Sequence, residues 1–193
     1  GSFLEVYHRG TDYLDKPPLL FWASSFWIKF FGPYNWTYKL SSFLFSILGI
    51  ISTYKLGHLL YNKRIGFVAA IMLATSQAYF LFNHDVRTDT ILTGAVIFGV
   101  WQIMAFVFYR ERIHLIGGFV GIGLGMLAKG PIALVVPALA FASYFIGRKR
   151  YKEFFRTDWL LGIGILAIML APMVYGLYTQ FDAHPEKEIP YMQ

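Results

Sequence analysis

Residues 90–109, TILTGAVIFGVWQIMAFVFY, are twenty positions without a single charged side chain. A helix of about 20 apolar residues spans the ~30 Å hydrocarbon core of a bilayer, and few other folds can bury such a run. The run is not isolated. Residues 36–60, 65–82 and 159–178 are similarly apolar, and 113–128 and 131–147 are two shorter runs separated by "KGP". Charged residues make up only 15% of the chain, against about 25% in ordinary soluble domains, and the mean hydropathy is +0.50. The expected fold is therefore all-α, a polytopic integral membrane bundle of about six transmembrane helices. Its expected organisation is an outer-loop segment at 1–35, a transmembrane core at 36–178 and the start of a further outer loop at 179–193.

The loops give the bundle an orientation. With the "DKPP" end placed outside, the inner loops are "NKR", "RER" and "RKRYKEFFRTD". Counting Lys55, the inner side then carries ten bases against three acids, and the outer side seven bases against eight acids. This is the positive-inside pattern. It accounts for the net charge of +6 as topology and removes any need for a nucleic-acid partner. A single helix over 113–147 would weaken that bias, but it would carry Gly130-Pro131 in its middle, so a helical hairpin turning at "KGP" is expected. The segment "LLFWASSFWIKFFG" (19–32) is too short to span and contains Lys29; its aromatics suit a helix lying in the interface. The chain has no cysteine, which excludes disulfides, thiolate metal sites and cysteine nucleophiles.

Polar chemistry then collects at the outer end. The first loop brings Asp12, Asp15 and Lys16; "NHDVRTDT" (83–90) brings His84, Asp85, Arg87 and Asp89; and Lys129 sits at the "KGP" turn. An ammonium near headgroup depth needs an anionic partner, and a lipid phosphate is one. Lys129 could equally snorkel to the surface. Lys16 and Arg87 could complete a cationic pocket for phosphate oxygens. Asp85 and Asp89, four apart, share a face on a helix and could serve as a base or hold a metal, or simply be solvated. Asp89 is the better candidate, because it directly precedes the apolar run and could cap that helix. The histidines show no ligand spacing, and the glycines of "GGFVGIGLGMLAKG" read as close helix packing.

Three strings carry a resemblance: "YLDKPPLLFW", "VRTDTIL" at the start of a span, and "GLGMLAKGPIALVVP". Their order and spacing resemble the polyprenyl-phosphate-sugar-dependent glycosyltransferases of the membrane GT-C superfamily, the bacterial relatives of protein O-mannosyltransferases and of the lipid A aminoarabinose transferases. The resemblance implies an N-terminal-half fragment of a larger enzyme of the bacterial inner membrane. Such an enzyme moves a sugar from a polyprenyl (undecaprenyl) phosphate carrier to a lipid or protein acceptor at the periplasmic face. By position, Asp15 and Asp89 take catalytic roles, and Asp15 also matches a metal-associated carboxylate, implying a divalent metal ion. Lys16, Arg87 and Lys129 take the lipid phosphate. The family's first acidic stretch would lie upstream of Gly1. The rival readings are a lipid-phosphate transporter, which binds the carrier without breaking a bond, and a non-catalytic membrane scaffold.

Overall fold

A computed structural model describes residues 7–8, 11–12, 17–77, 79 and 87–178. Apart from one minimal antiparallel pairing, Tyr7–His8 with Thr11–Asp12, the described elements are helices. These are α1 (Leu19–Phe31), α2 (Asn35–Leu60), α3 (Lys63–Ala74), α4 (Thr88–Tyr109), α5 (Arg112–Lys129), α6 (Ile132–Gly147) and α7 (Asp158–Leu177), with a short 3-10 helix at Tyr151–Phe155.

Pro18, with its φ fixed near helical values, starts α1, and its carbonyl accepts from Trp22 N–H at 3.0 Å. Gly32 ends the helix at φ 86. The thirteen residues reach about 20 Å, too short to span. Phe26, Phe30 and Phe31 stand exposed, as an interfacial helix requires.

Four helices, α2, α4, α5 and α7, are long and apolar enough to cross a membrane. Two of the six expected spans are shorter. Over 65–82 the helix α3 ends at Ala74, where the Thr75 and Ser76 hydroxyls bond back to the Ile71 and Leu73 carbonyls. Helix α6 has sixteen residues, about 24 Å. The chain is a multi-pass membrane helical bundle, with four segments of full spanning length among the described residues.

Close backbone approach sets the bundle. A Cβ on Gly94 of α4 would lie 2.1 Å from the Phe45 carbonyl oxygen of α2, so only glycine lets these two helices meet. On α5, a Cβ on Gly121 would press the Gly99 nitrogen of α4 at 2.8 Å. The glycine-rich string of α5 is thus a packing face. Below it, Ile103, Phe106, Leu115, Phe119 and Ile122 bury together with Phe141 and Phe145 of α6 and Leu166 of α7.

The hairpin turns as "KGP" foretold. Gly130 takes φ 81, a value costly for other residues, and Pro131 starts α6. Ala133 packs against Gly125 and Phe145 joins Phe119 in one cluster, so α6 runs back along α5.

Candidate functional site

The hairpin turn and the entry of α4 lie at the same end of the bundle. Lys129 is the last residue of α5, and its Nζ donates to Asp89 Oδ1 in the first turn of α4. Forty residues of sequence separate the two groups. The packing of α4 on α5 through Gly99, Gly118 and Gly121 holds them together. Both remain open to the surface, at 34% exposure for Asp89 and 49% for Lys129.

Asp89 is not the helix cap. Arg87 holds the N-cap position, in extended conformation at φ −120 and ψ 145, and Asp89 lies two residues inside. A carboxylate there is stabilised by the positive end of the helix dipole while its side chain remains free to face another helix. Thr93 Oγ1 donates to the Asp89 carbonyl at 2.8 Å, and Ser42 of α2 donates to the Arg87 carbonyl at 3.4 Å. The helix entry is therefore tied to α2 by a hydroxyl that the sequence reading did not single out. A signal was present: Thr37, Ser41, Ser42, Ser46 and Ser52 recur at helical spacing and are all buried along one side of α2.

Of the five site residues expected from sequence, the structure brings Asp89 and Lys129 into contact and sets Arg87 at the same helix entry. Asp15 and Lys16 lie outside the described residues, as do His84 and Asp85. Among the described residues no three His, Asp or Glu side chains converge on a possible metal position.

The opposite end is built differently. Glu153 of the 3-10 helix is buried and receives both nitrogens of Arg110. Arg150 and Arg156 approach the same carboxylate at 3.1 and 3.6 Å, and Trp159 Nε1 donates to its backbone carbonyl at 2.7 Å. The bond from Arg110 holds the Glu153 carboxyl below its ordinary range, against the opposing pull of burial. The sequence reading counted Glu153 only as one of three inner acids; four arginine or tryptophan partners from separate segments make it a fastener.

The chain was compared with known proteins. The undecaprenyl phosphate-alpha-4-amino-4-deoxy-L-arabinose arabinosyl transferase of Erwinia tasmaniensis is 23% identical over 193 residues, covering 97% of this chain and 34% of that protein. The arabinosyl transferase 2 of Sodalis glossinidius is 25% identical over 160 residues, 80% of this chain and 29% of that one. The chain thus spans about a third of the length of these curated relatives. The crystal structure of ArnT from Cupriavidus metallidurans in the apo state superimposes with a TM-score of 0.86 at 17% identity, covering 99% of this chain and 36% of that one. The same protein bound to undecaprenyl phosphate gives 0.85 at 18% identity, with 96% and 35% covered. These likenesses establish the fold. Residues 15–175 match the model of the dolichyl-phosphate-mannose-protein mannosyltransferases, and the chain belongs to that family.

Proposed function

We propose that the protein containing this chain is a glycosyltransferase that moves a sugar from an undecaprenyl phosphate carrier to a lipid or protein acceptor. The site faces the periplasm of a bacterial inner membrane. The observation that carries this reading is the Asp89–Lys129 pair, an acid and a base from two helices meeting at the end of the bundle where the loops are not basic.

In this reading Lys129 exchanges partners. Its ammonium is held by Asp89 until a carrier phosphate arrives, and then turns to the phosphate oxygens, with Arg87 and Lys16 proposed as further phosphate ligands. The exchange frees a carboxylate oxygen of Asp89 to accept the proton of the acceptor hydroxyl. The hydroxyl oxygen attacks the anomeric carbon, the bond from that carbon to the phosphate oxygen breaks, and the carrier leaves as a phosphate anion stabilised by the cations. Asp15 is proposed as a second catalytic carboxylate and as the ligand of a divalent ion. Relatives named as arabinosyl transferases favour an amino sugar as the transferred group.

The test is a transfer assay on the whole protein with undecaprenyl phosphate-linked 4-amino-4-deoxy-arabinose and lipid A. Asp89→Asn should lower turnover by about a hundredfold, and Lys16→Ala should weaken use of the carrier. Wild-type turnover in both variants would remove these assignments. Carrier translocation without any transfer product would establish the transporter instead.

A further inference from the structure

A polar cavity lies at the end of the bundle away from Asp89 and Lys129. It has a volume of about 330 Å³ and opens between α2, α4 and the start of α5. Lys55 and His58 line it from α2, Trp101 and Tyr109 from α4, and His114 from α5. That size falls in the roughly 300–1,000 Å³ range of small-ligand clefts. The polar groups on its wall are predominantly hydrogen-bond donors: an ammonium, an indole N–H, a phenol and two imidazoles.

The walls also fix the shape of an occupant. Trp101 and Tyr109 are eight residues apart on α4, which places them about 12 Å apart along the helix axis. The cavity therefore runs from the headgroup level, marked by the helix ends, into the depth of the acyl chains. A fully water-soluble anion would use only its upper part. An amphipathic molecule with a phosphate at the top and an apolar stem below would fill it, and Leu59 and Ala105 supply the apolar wall for the stem.

His114 is oriented for this. Gln102 Oε1, which can only accept, takes the Nδ1 proton at 2.6 Å, and this leaves Nε2 as the second ring nitrogen. Among the described residues, the acid close to that Nε2 is Glu111, whose carboxylate lies 3.7 Å away and is 65% exposed. The exposure of Glu111 lets it swing into water when an anion arrives. Basic pockets between spans at the positively charged membrane face are a recurrent form of lipid headgroup site.

We propose that this cavity binds the phosphate-bearing headgroup of an anionic membrane lipid, in the leaflet opposite the Asp89 site. The proposal is independent of sugar transfer, and its test measures binding alone. The whole protein in phosphatidylcholine nanodiscs is titrated with phosphatidylglycerol and, separately, with inorganic phosphate, and the thermal unfolding midpoint is followed. Phosphatidylglycerol should raise the midpoint saturably. Lys55→Gln should weaken that response about tenfold, as the loss of one charged hydrogen bond implies, and Lys55→Arg should restore most of it. Lys63→Gln with Arg64→Gln removes two charges from the start of the neighbouring α3, outside the cavity, and should change the response less than twofold. Equal losses in the two sets of variants would mean diffuse attraction to a basic surface and would overturn the proposal. Protection by inorganic phosphate, sensitive to Lys55→Gln and without any response to the lipid, would overturn it as well. Native mass spectrometry of the wild-type protein decides the matter without variants: one phosphatidylglycerol retained against excess phosphatidylcholine supports the site, and none retained refutes it.

Discussion

The two ends of the bundle treat charge in opposite ways. At one end a single acid and a single base, Asp89 and Lys129, pair in the open, each with a third or more of its surface exposed. At the other, Glu153 keeps only 11% of its side chain exposed and is held by three arginines and a tryptophan. An exposed pair contributes little to stability and can change partners cheaply. A buried carboxylate with several donors cannot be unpaired without a large cost. The first arrangement suits a site that must accept a ligand; the second closes a loop. It fastens the α6–α7 connection against the end of α4, and Arg156 completes the joint by lying 5.2 Å over the Phe106 ring.

The largest expected effect tests the fastener. Glu153→Gln keeps the shape but leaves Arg110, Arg150 and Arg156 without their shared counter-charge. A fully buried pair would lose roughly 3–5 kcal/mol on such a change. These guanidiniums are 29–37% exposed, so water recovers part of that and about 2 kcal/mol is expected. The check is the thermal unfolding midpoint in detergent, compared with Lys152→Gln, a substitution in the same 3-10 helix. Equal shifts in the two variants would erase the contrast between the ends.

The difference between the ends was only partly legible in the sequence. The apolar runs announced helices, and the Gly130-Pro131 step announced the hairpin, because both signals are local. The site pair was legible as two candidates in separate motifs, but their contact depends on α4 packing against α5, which no local string specifies. Glu153 was illegible for the same reason. In "RKRYKEFFRTD" it is one of two acids among five bases, and only the arrival of Arg110 from forty-three residues away makes it the hub. The shortfall in α3 has another origin. Periodicity over 65–82 could not show that α3 would end at Ala74.

Acidification should weaken the fastener. Glu153 titrates below its ordinary range in the folded protein, so the folded state resists its protonation more than the unfolded state does. Its contribution is complete at neutral pH, begins to fall as the pH drops into the ordinary carboxylate range near about 4, and is lost through the depressed value below that. The gap in unfolding midpoint between wild type and Glu153→Gln should therefore narrow as the pH is lowered from neutral to acid. A gap independent of pH would mean that the glutamine variant loses packing rather than charge.

The smallest expected effect is the sharpest test of the other end. Asp89→Asn removes the acid from an exposed pair and from the first turn of α4, where it favours the helix dipole. Exposed pairs contribute about 0–1 kcal/mol, and the dipole term adds a few tenths. The unfolding midpoint should consequently move by less than half the Glu153→Gln shift, while sugar transfer falls by about a hundredfold. Function and stability would then be carried by different ends of one bundle. If Asp89→Asn instead unfolds the protein as readily as Glu153→Gln, the Asp89–Lys129 pair is a second fastener, binding the α5–α6 turn to α4. In that case parting the pair costs too much for a phosphate to displace Asp89, and the partner exchange on which the proposed transfer depends cannot occur.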